Sequence, residues 1–561
     1  MDTKSKWEEP WRCASSQSPI ANYPLQLPRT LRIEAPMQPN TSKWRNTCAN
    51  ISVVVLLFMM LLALLWALCL NAEYYRLTPE QRFERTRARF VGNERRMQVG
   101  GKLRLTPREE LANEQLLAIK TVDNELHNIW SDYQPRPHFL SKYNISETDL
   151  YGLLRSMPKG GLLHVHDAGM FKTELLIELT YRRDLWACVA ISGEFEDFRF
   201  SNTFPNIPPS GDYKCNWQLM SNFWANQHSN EYLDKLRASL SLDSQNYMSS
   251  EDLAKHMQRA HRLIHGLITF RQHWPNFLFR MMEDLYADGV NYVELRSSLP
   301  VMYDLKGTNY TILDTAQSLV TTANIFRYSY SDFVGIKLIY APIRDYKDSR
   351  MDTYIENARL LKKHYPNLFV GFDLLSFGNE CQLPPLGKQL QLLHIDKEID
   401  FYFHAGDSRC LNSTGSDDNL IDALLLGSKR LGNAMNVPQH PEVLHVLRLL
   451  DIAVEVCPLS NHYLQYMNDF RMHPAAYLIA AGFPIVVGSD YPYFWNAAPL
   501  TDDFYVAFVG IASEQGNLRL LKQLAMNSFM YSALNVDERR EALLKWRTSW
   551  NRWLETFVNN N

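Results

Sequence analysis

Residues 157–169, MPKGGLLHVHDAG, pass from a proline and two glycines into a short apolar run that ends in His164-Val165-His166. Successive side chains of a strand face opposite ways, so the two imidazoles emerge on one side of its end. Similar runs recur down the chain, each followed by a longer helical pattern: YVELRSS, VGIKLIYAP, LFVGFDLLS, DFYFHAG, RLGNA, AVEVCPLSN and PIVVGSD. Several are continuously apolar, as expected of strands covered on both faces of a parallel sheet. Eight strands alternating with helices predict an α/β fold of the (β/α)8 TIM-type barrel class over residues 151–555. A doubly wound open sheet is the runner-up and usually needs fewer strands. Residues from about 190 to 250 have no place in the alternation and read as an insertion after the first strand.

Upstream of the barrel the composition changes. Residues 1–46 carry scattered Pro, Ser, Asn and Gln and read as a disordered tail. Residues 47–72 contain ISVVVLLFMMLLALLWALCL (51–70), uncharged and long enough to cross a hydrocarbon core of about 30 Å as a helix. Its length and its distance from the first residue favour a signal anchor over a cleaved signal peptide, with secretion as the alternative. Lys43 and Arg45 before the span and Arg76, Arg82 and Arg85 after it leave the orientation undecided by charge. The sequons at Asn144, Asn309 and Asn412 all follow the span and favour an extracellular or luminal main body.

Residues 73–150 read as a helical module, in which Thr106-Pro107-Arg108-Glu109 supplies a cap, a first-turn proline and an early acid. The basic run at Arg85, Arg87, Arg89, Arg95 and Arg96 suits membrane phosphates or a glycosaminoglycan, although a solvated helix face explains it more plainly. A net charge of −3 gives no reason to expect nucleic acid as a partner. Eight cysteines are too few for a disulfide scaffold in a chain of this length. Cys188 and Cys215 flank a polar, proline-rich loop and either staple it in an oxidising compartment or stand as two separate buried thiols.

In a barrel, polar residues at the carboxyl ends of strands converge on one mouth. The fifth run ends in His404 and the eighth in Asp490. With His164 and His166 they make a set of three histidines and a carboxylate of the kind zinc takes.

The segments MPKGGLLHVHDAG, GFDLL, FHAGD, EVCPLSN, GSDYP and LKQLAMNS closely resemble the extracellular adenosine deaminases, or adenosine deaminase-related growth factors, from about Arg76 to the C-terminus. The resemblance implies one zinc ion on His164, His166, His404 and Asp490, activating water for attack on C6 of adenosine to give inosine and ammonia. It implies a ribose contact at Asp167, a Cys188–Cys215 disulfide, and a homodimer through residues 73–150, which include GGKLRLTPREELANEQL. The insertion resembles that family's receptor-binding region, which implies a cell-surface receptor as a partner.

Four positions depart from the family pattern. HAGE is HAGD here, so Asp407 stands where a glutamate protonates the purine ring. IGHG is LGNA, so Asn433 replaces a histidine that orients the attacking water and assists proton transfer. SDDP is SDYP, so Tyr491 replaces an aspartate that hydrogen-bonds the base, and Ser376 replaces the glycine of DLxG beside it. Misplacing a catalytic group by about 1 Å costs on the order of a hundredfold. An asparagine exchanges no proton near neutral pH, and losing a positioned acid or base costs about 10²–10⁴. The expectation is a retained zinc cage with impaired or absent turnover and a growth-factor-like or nucleoside-binding role. The alternative is an active adenosine deaminase with re-tuned catalytic residues that regulates extracellular adenosine.

Overall fold

The computed structural model describes residues 55, 57–66, 77–127, 145–205, 214–225, 229–242, 249–344, 350–377, 386, 392, 399–407, 418–512 and 516–560. They fall into two compact units, Met1–Thr86 and Arg87–Asn561. In the first unit residues 57–66 are helical, with exposed apolar side chains such as Phe58, Met60 and Trp66. Among the described residues no helix is long and apolar enough to cross a membrane. The tail 1–46 and both ends of the expected 51–70 span lie outside the described residues.

Helix α1 (Pro79–Met97) has no buried residue, and its five expected basic positions are all exposed. Helix α2 (Pro107–His127) begins at a reciprocal cap: Thr106 N–H donates to Glu109 (2.9 Å) while Glu109 N–H donates to Thr106 Oγ1 (3.3 Å). The same Glu109 carboxylate accepts from Lys522 and from Trp550 Nε1, which fastens the helical module to the barrel.

The strands in chain order are β1 (Gly160–His166), β2 (Leu185–Ala190), β3 (Phe195–Phe200), β4 (Cys215–Leu219), β5 (Val290–Ser297), β6 (Gly335–Tyr340), β7 (Phe369–Phe372), β8 (Asp400–Phe401), β9 (His404–Ala405), β10 (Arg430–Asn433), β11 (Ala453–Val456) and β12 (Ile485–Val487). Two parallel sheets, β1-β5-β6-β7-β8 and β9-β10-β11-β12, make up the barrel. A parallel bridge between Val165 and Asp490 closes the ring, with His166 N–H donating to the Asp490 carbonyl at 2.9 Å. Closure requires a glycine at 488, because a Cβ there would lie 2.7 Å from that of His164. All eight expected runs are barrel strands. The fifth, read as one strand, is two short segments: β8 pairs with β7, β9 pairs with β10, and the chain changes neighbours at Tyr402–Phe403.

The insertion forms a separate antiparallel sheet in the order β3-β2-β4. It starts at Leu185, ahead of the expected boundary at 190, because the apolar run LWACVA pairs within the inserted sheet instead of leading into the next barrel helix. Cys188 on β2 and Cys215 on β4 form a disulfide, with Cα atoms 5.4 Å apart. Helix α3 (Ser250–Ile268) follows the inserted sheet, a further helix (Trp274–Ala287) leads from it into β5, and α4 (Val536–Asn560) carries Trp550.

Candidate metal centre and its surroundings

Strand ends bring His164, His166, His404 and Asp490 into one buried cluster, with one ligand atom from each within 4.8 Å of the others. His164 Nε2 lies 3.0 Å from His404 Nε2 and 3.7 Å from Asp490 Oδ1, and His166 Nε2 lies 3.3 Å from the same oxygen. Ligands about 2.0–2.1 Å from a tetrahedral ion stand about 3.3 Å from one another, so this spacing fits zinc. Hydrogen bonding points to the same group. His164 Nδ1 is 2.6 Å from Glu455, and His404 Nδ1 is 2.7 Å from Asp373. Carboxylates on both Nδ1 atoms leave both Nε2 lone pairs facing inward, an opposition that a cation relieves. Among the described residues, His166 Nε2 and Asp490 Oδ1 are buried without a hydrogen-bond partner. Burial, then the imidazoles of His404 and His164, push His166 well below its usual value, keeping it neutral and able to ligate.

The supporting carboxylates are locked by two buried arginines. Arg296 donates to Asp373 (2.9 Å) and to Glu455 (2.7 Å), and Arg430 donates to Glu455 and Glu294 (2.6 Å each). Burial is the largest single influence and raises both carboxyls, but His404 and Arg296 together outweigh it for Asp373, and Arg296, Arg430 and His164 together for Glu455, so both sit well below the ordinary carboxylate range. Sequence reasoning assigned these five residues no role, although Asp373 and Glu455 stand within the runs GFDLL and AVEVCPLSN. A carboxylate inside such a run is the signal that could have found them.

The proton-handling positions are also drawn together. Asn433, at φ +59° and followed by Ala434 at +46°, donates from Nδ2 to Asp407 Oδ2 at 3.3 Å. Its Oδ1 accepts from Asn461 Nδ2 (3.0 Å), and Asn461 Oδ1 lies 3.0 Å from His473 Nε2. His473 Nδ1 accepts from the Ala475 N–H, so its one proton is on Nε2 and every donor along the line points towards Asp407. Neither Asn461 nor His473 was singled out from sequence. Tyr491 lies flat on His166, with ring centroids 4.6 Å apart and planes 2° apart, and its buried hydroxyl has no hydrogen-bond partner among the described residues. Gly169 makes room for it, since a Cβ there would come within 2.4 Å of Tyr491 Cα.

Asp167 accepts from Ser297 Oγ (2.5 Å) and lies 3.3 Å from His265 Nε2. Ser376 is half-buried in the loop after β7. Asn309 is exposed and accepts from Arg199 at 3.2 Å, while Asn144 and Asn412 lie outside the described residues.

A parallel barrel with this cage at the carboxyl ends of its strands is the arrangement of a barrel metallohydrolase. Two family models match the chain: adenosine/AMP deaminase N-terminal over residues 61–154, and adenosine deaminase over residues 225–546. β1, with His164 and His166, lies between the matched spans. The adenosine deaminase of Lutzomyia longipalpis is 36% identical over 85% of this chain and 94% of its own length. Adenosine deaminase 2 of Sus scrofa is 34% identical over 83% and 93%. The solved structure of Arabidopsis ADAL complexed with IMP covers 71% of this chain and 98% of its own, with a TM-score of 0.50 at 14% identity, and shares the fold. The chain belongs to the adenosine deaminase family.

Proposed function

We propose that the chain retains a zinc-binding adenosine deaminase barrel but deaminates adenosine slowly or not at all, and works outside the cell, anchored or secreted, as a nucleoside-binding or growth-factor-like protein. The observation that carries this reading is the line from His473 through Asn461 and Asn433 to Asp407, which sets two amides in series where protons should move. An amide holds position but exchanges no proton near neutral pH. His164, His166, His404 and Asp490 would hold a zinc ion, which would supply Lewis acidity able to lower the pKa of a water from about 16 to about 7. Delivering a proton to the purine then falls to Asp407, shorter than the family's glutamate. The Tyr491 ring narrows the space over His166 where the base would approach. A homodimer through residues 73–150 and a receptor for the insertion belong to the same proposal.

The test is inosine formation by the zinc-loaded full-length chain in detergent. Turnover below about 1 s⁻¹ is expected, and turnover within tenfold of the typical enzyme value of about 10 s⁻¹ defeats the proposal. In that event Asp407→Ala decides whether Asp407 is the acid of a re-tuned enzyme.

A further inference from the structure

Helix α3 carries His261 and His265 four residues apart, hence on one helical face. Their ring centroids are 4.0 Å apart. Asp167, the first residue after β1, approaches them from the barrel side, with Oδ1 at 3.3 Å from His265 Nε2. Its other oxygen accepts from Ser297 Oγ, and its Oδ1 accepts from the Ala168 N–H at 2.7 Å, so the carboxylate is held facing the helix.

We infer that Asp167, His261 and His265 form a second site for a zinc-class divalent cation beside the first cage. One ligand atom from each lies within 4.8 Å of the others, and the Asp167–His265 edge is already at the roughly 3.3 Å spacing of tetrahedral zinc ligands. His261 is 4% exposed, and among the described residues its ring packs against His265 and Phe377. An Asp167–His265 pair alone would leave His261 unexplained. Two nitrogens and one oxygen also leave a fourth position open, as in sites that exchange water or ligand. His265 is partly exposed, which gives the ion a route from solvent. Because His166 and Asp167 are consecutive, the two ions would occupy adjoining places at the barrel mouth.

The test counts metal. The full-length chain in mild detergent, stripped with dipicolinate and dialysed against excess zinc, is expected to hold two zinc ions by plasma mass spectrometry. His261→Ala/His265→Ala is expected to hold one. His265→Gln, which keeps the side-chain volume, should weaken the second equivalent beyond the roughly 10–100-fold typical of losing an outer-layer partner. Cobalt titration of the parent provides a measurement that does not depend on any variant folding, with a second break in the visible absorption expected after the first equivalent. A single equivalent in the parent overturns the site. Two equivalents undiminished in the folded double variant also overturn it, since the second ion then lies elsewhere.

Discussion

Position 433 shows how one residue can preserve geometry while removing chemistry. Asn433 bridges Asp407 and Asn461, so the pocket loses no contact, only a titratable proton. Restoring the family pattern with Asp407→Glu, Asn433→His and Tyr491→Asp together should raise inosine formation by about 10²-fold or more, the low end for a recovered acid and base. An unchanged rate in a folded, zinc-loaded triple variant would put the block elsewhere. His473, at the far end of the line, gives a pH signature. Burial lowers its imidazole to about 3, against about 6.5 when unfolded. Between those values the unfolded chain binds a proton that the folded chain does not. Stability from this residue is therefore complete above pH 6.5 and is lost as the pH falls towards 3. At about 1.4 kcal/mol per unit, moving from pH 6.5 to pH 5 should cost about 2 kcal/mol more in the parent than in His473→Gln, read from urea unfolding. Equal losses would remove His473 from the acid response. His164 and His166 are legible as ligands only alongside His404 and Asp490 at other strand ends, since the two-residue spacing by itself is weak. Asn461 and His473 are not legible, because only the packing of the short helix Pro458–Tyr463 against the segment at His473 lines them up behind Asn433, and nothing local in the sequence encodes that approach.

At the scale of the element, each barrel strand does two jobs with alternate residues. β1 buries Leu163 and Val165 beside its two histidines, and β11 sends Glu455 inward to reach His164, Arg296 and Arg430. The eight apolar runs made the barrel readable, since continuous burial on both faces leaves a composition signal. The break in the fifth strand left none: both halves are equally apolar, and only the choice of neighbour separates them. The inward carboxylate of the four-residue β11 is visible in the sequence, but which histidine and arginines it faces is not, because its partners come from other strands. Glu455→Gln tests what that carboxylate does. It removes the charge holding two arginines and the partner that fixes the His164 ring. Zinc affinity measured by chelator competition should fall about 10–100-fold, and stability by about 3 kcal/mol, the low end for breaking a buried pair. Unchanged affinity would mean that Glu455 serves the arginines alone.

For the whole molecule, the proposal that the barrel lies outside the cell carries a test of its own. Helical residues 57–66 and the exposed, arginine-bearing α1 precede the barrel, and neither fixes the side by charge. The Cys188–Cys215 disulfide favours an oxidising compartment, because cytosolic reductants keep such pairs open. Asn309 offers a direct readout. It is exposed, in a backbone bridge with Tyr303, and its side chain accepts from half-buried Arg199 at 3.2 Å, so a glycan can attach without unpacking the core. If the body is luminal or extracellular, amide-cleaving glycosidase should speed the migration of the full-length chain made in eukaryotic cells. Asn309→Gln should then remove one step from the partially digested ladder while leaving zinc content unchanged. A chain that migrates identically with and without glycosidase, and is digested by protease added to the cytoplasmic side of sealed vesicles, would place the barrel in the cytoplasm and end the extracellular proposal.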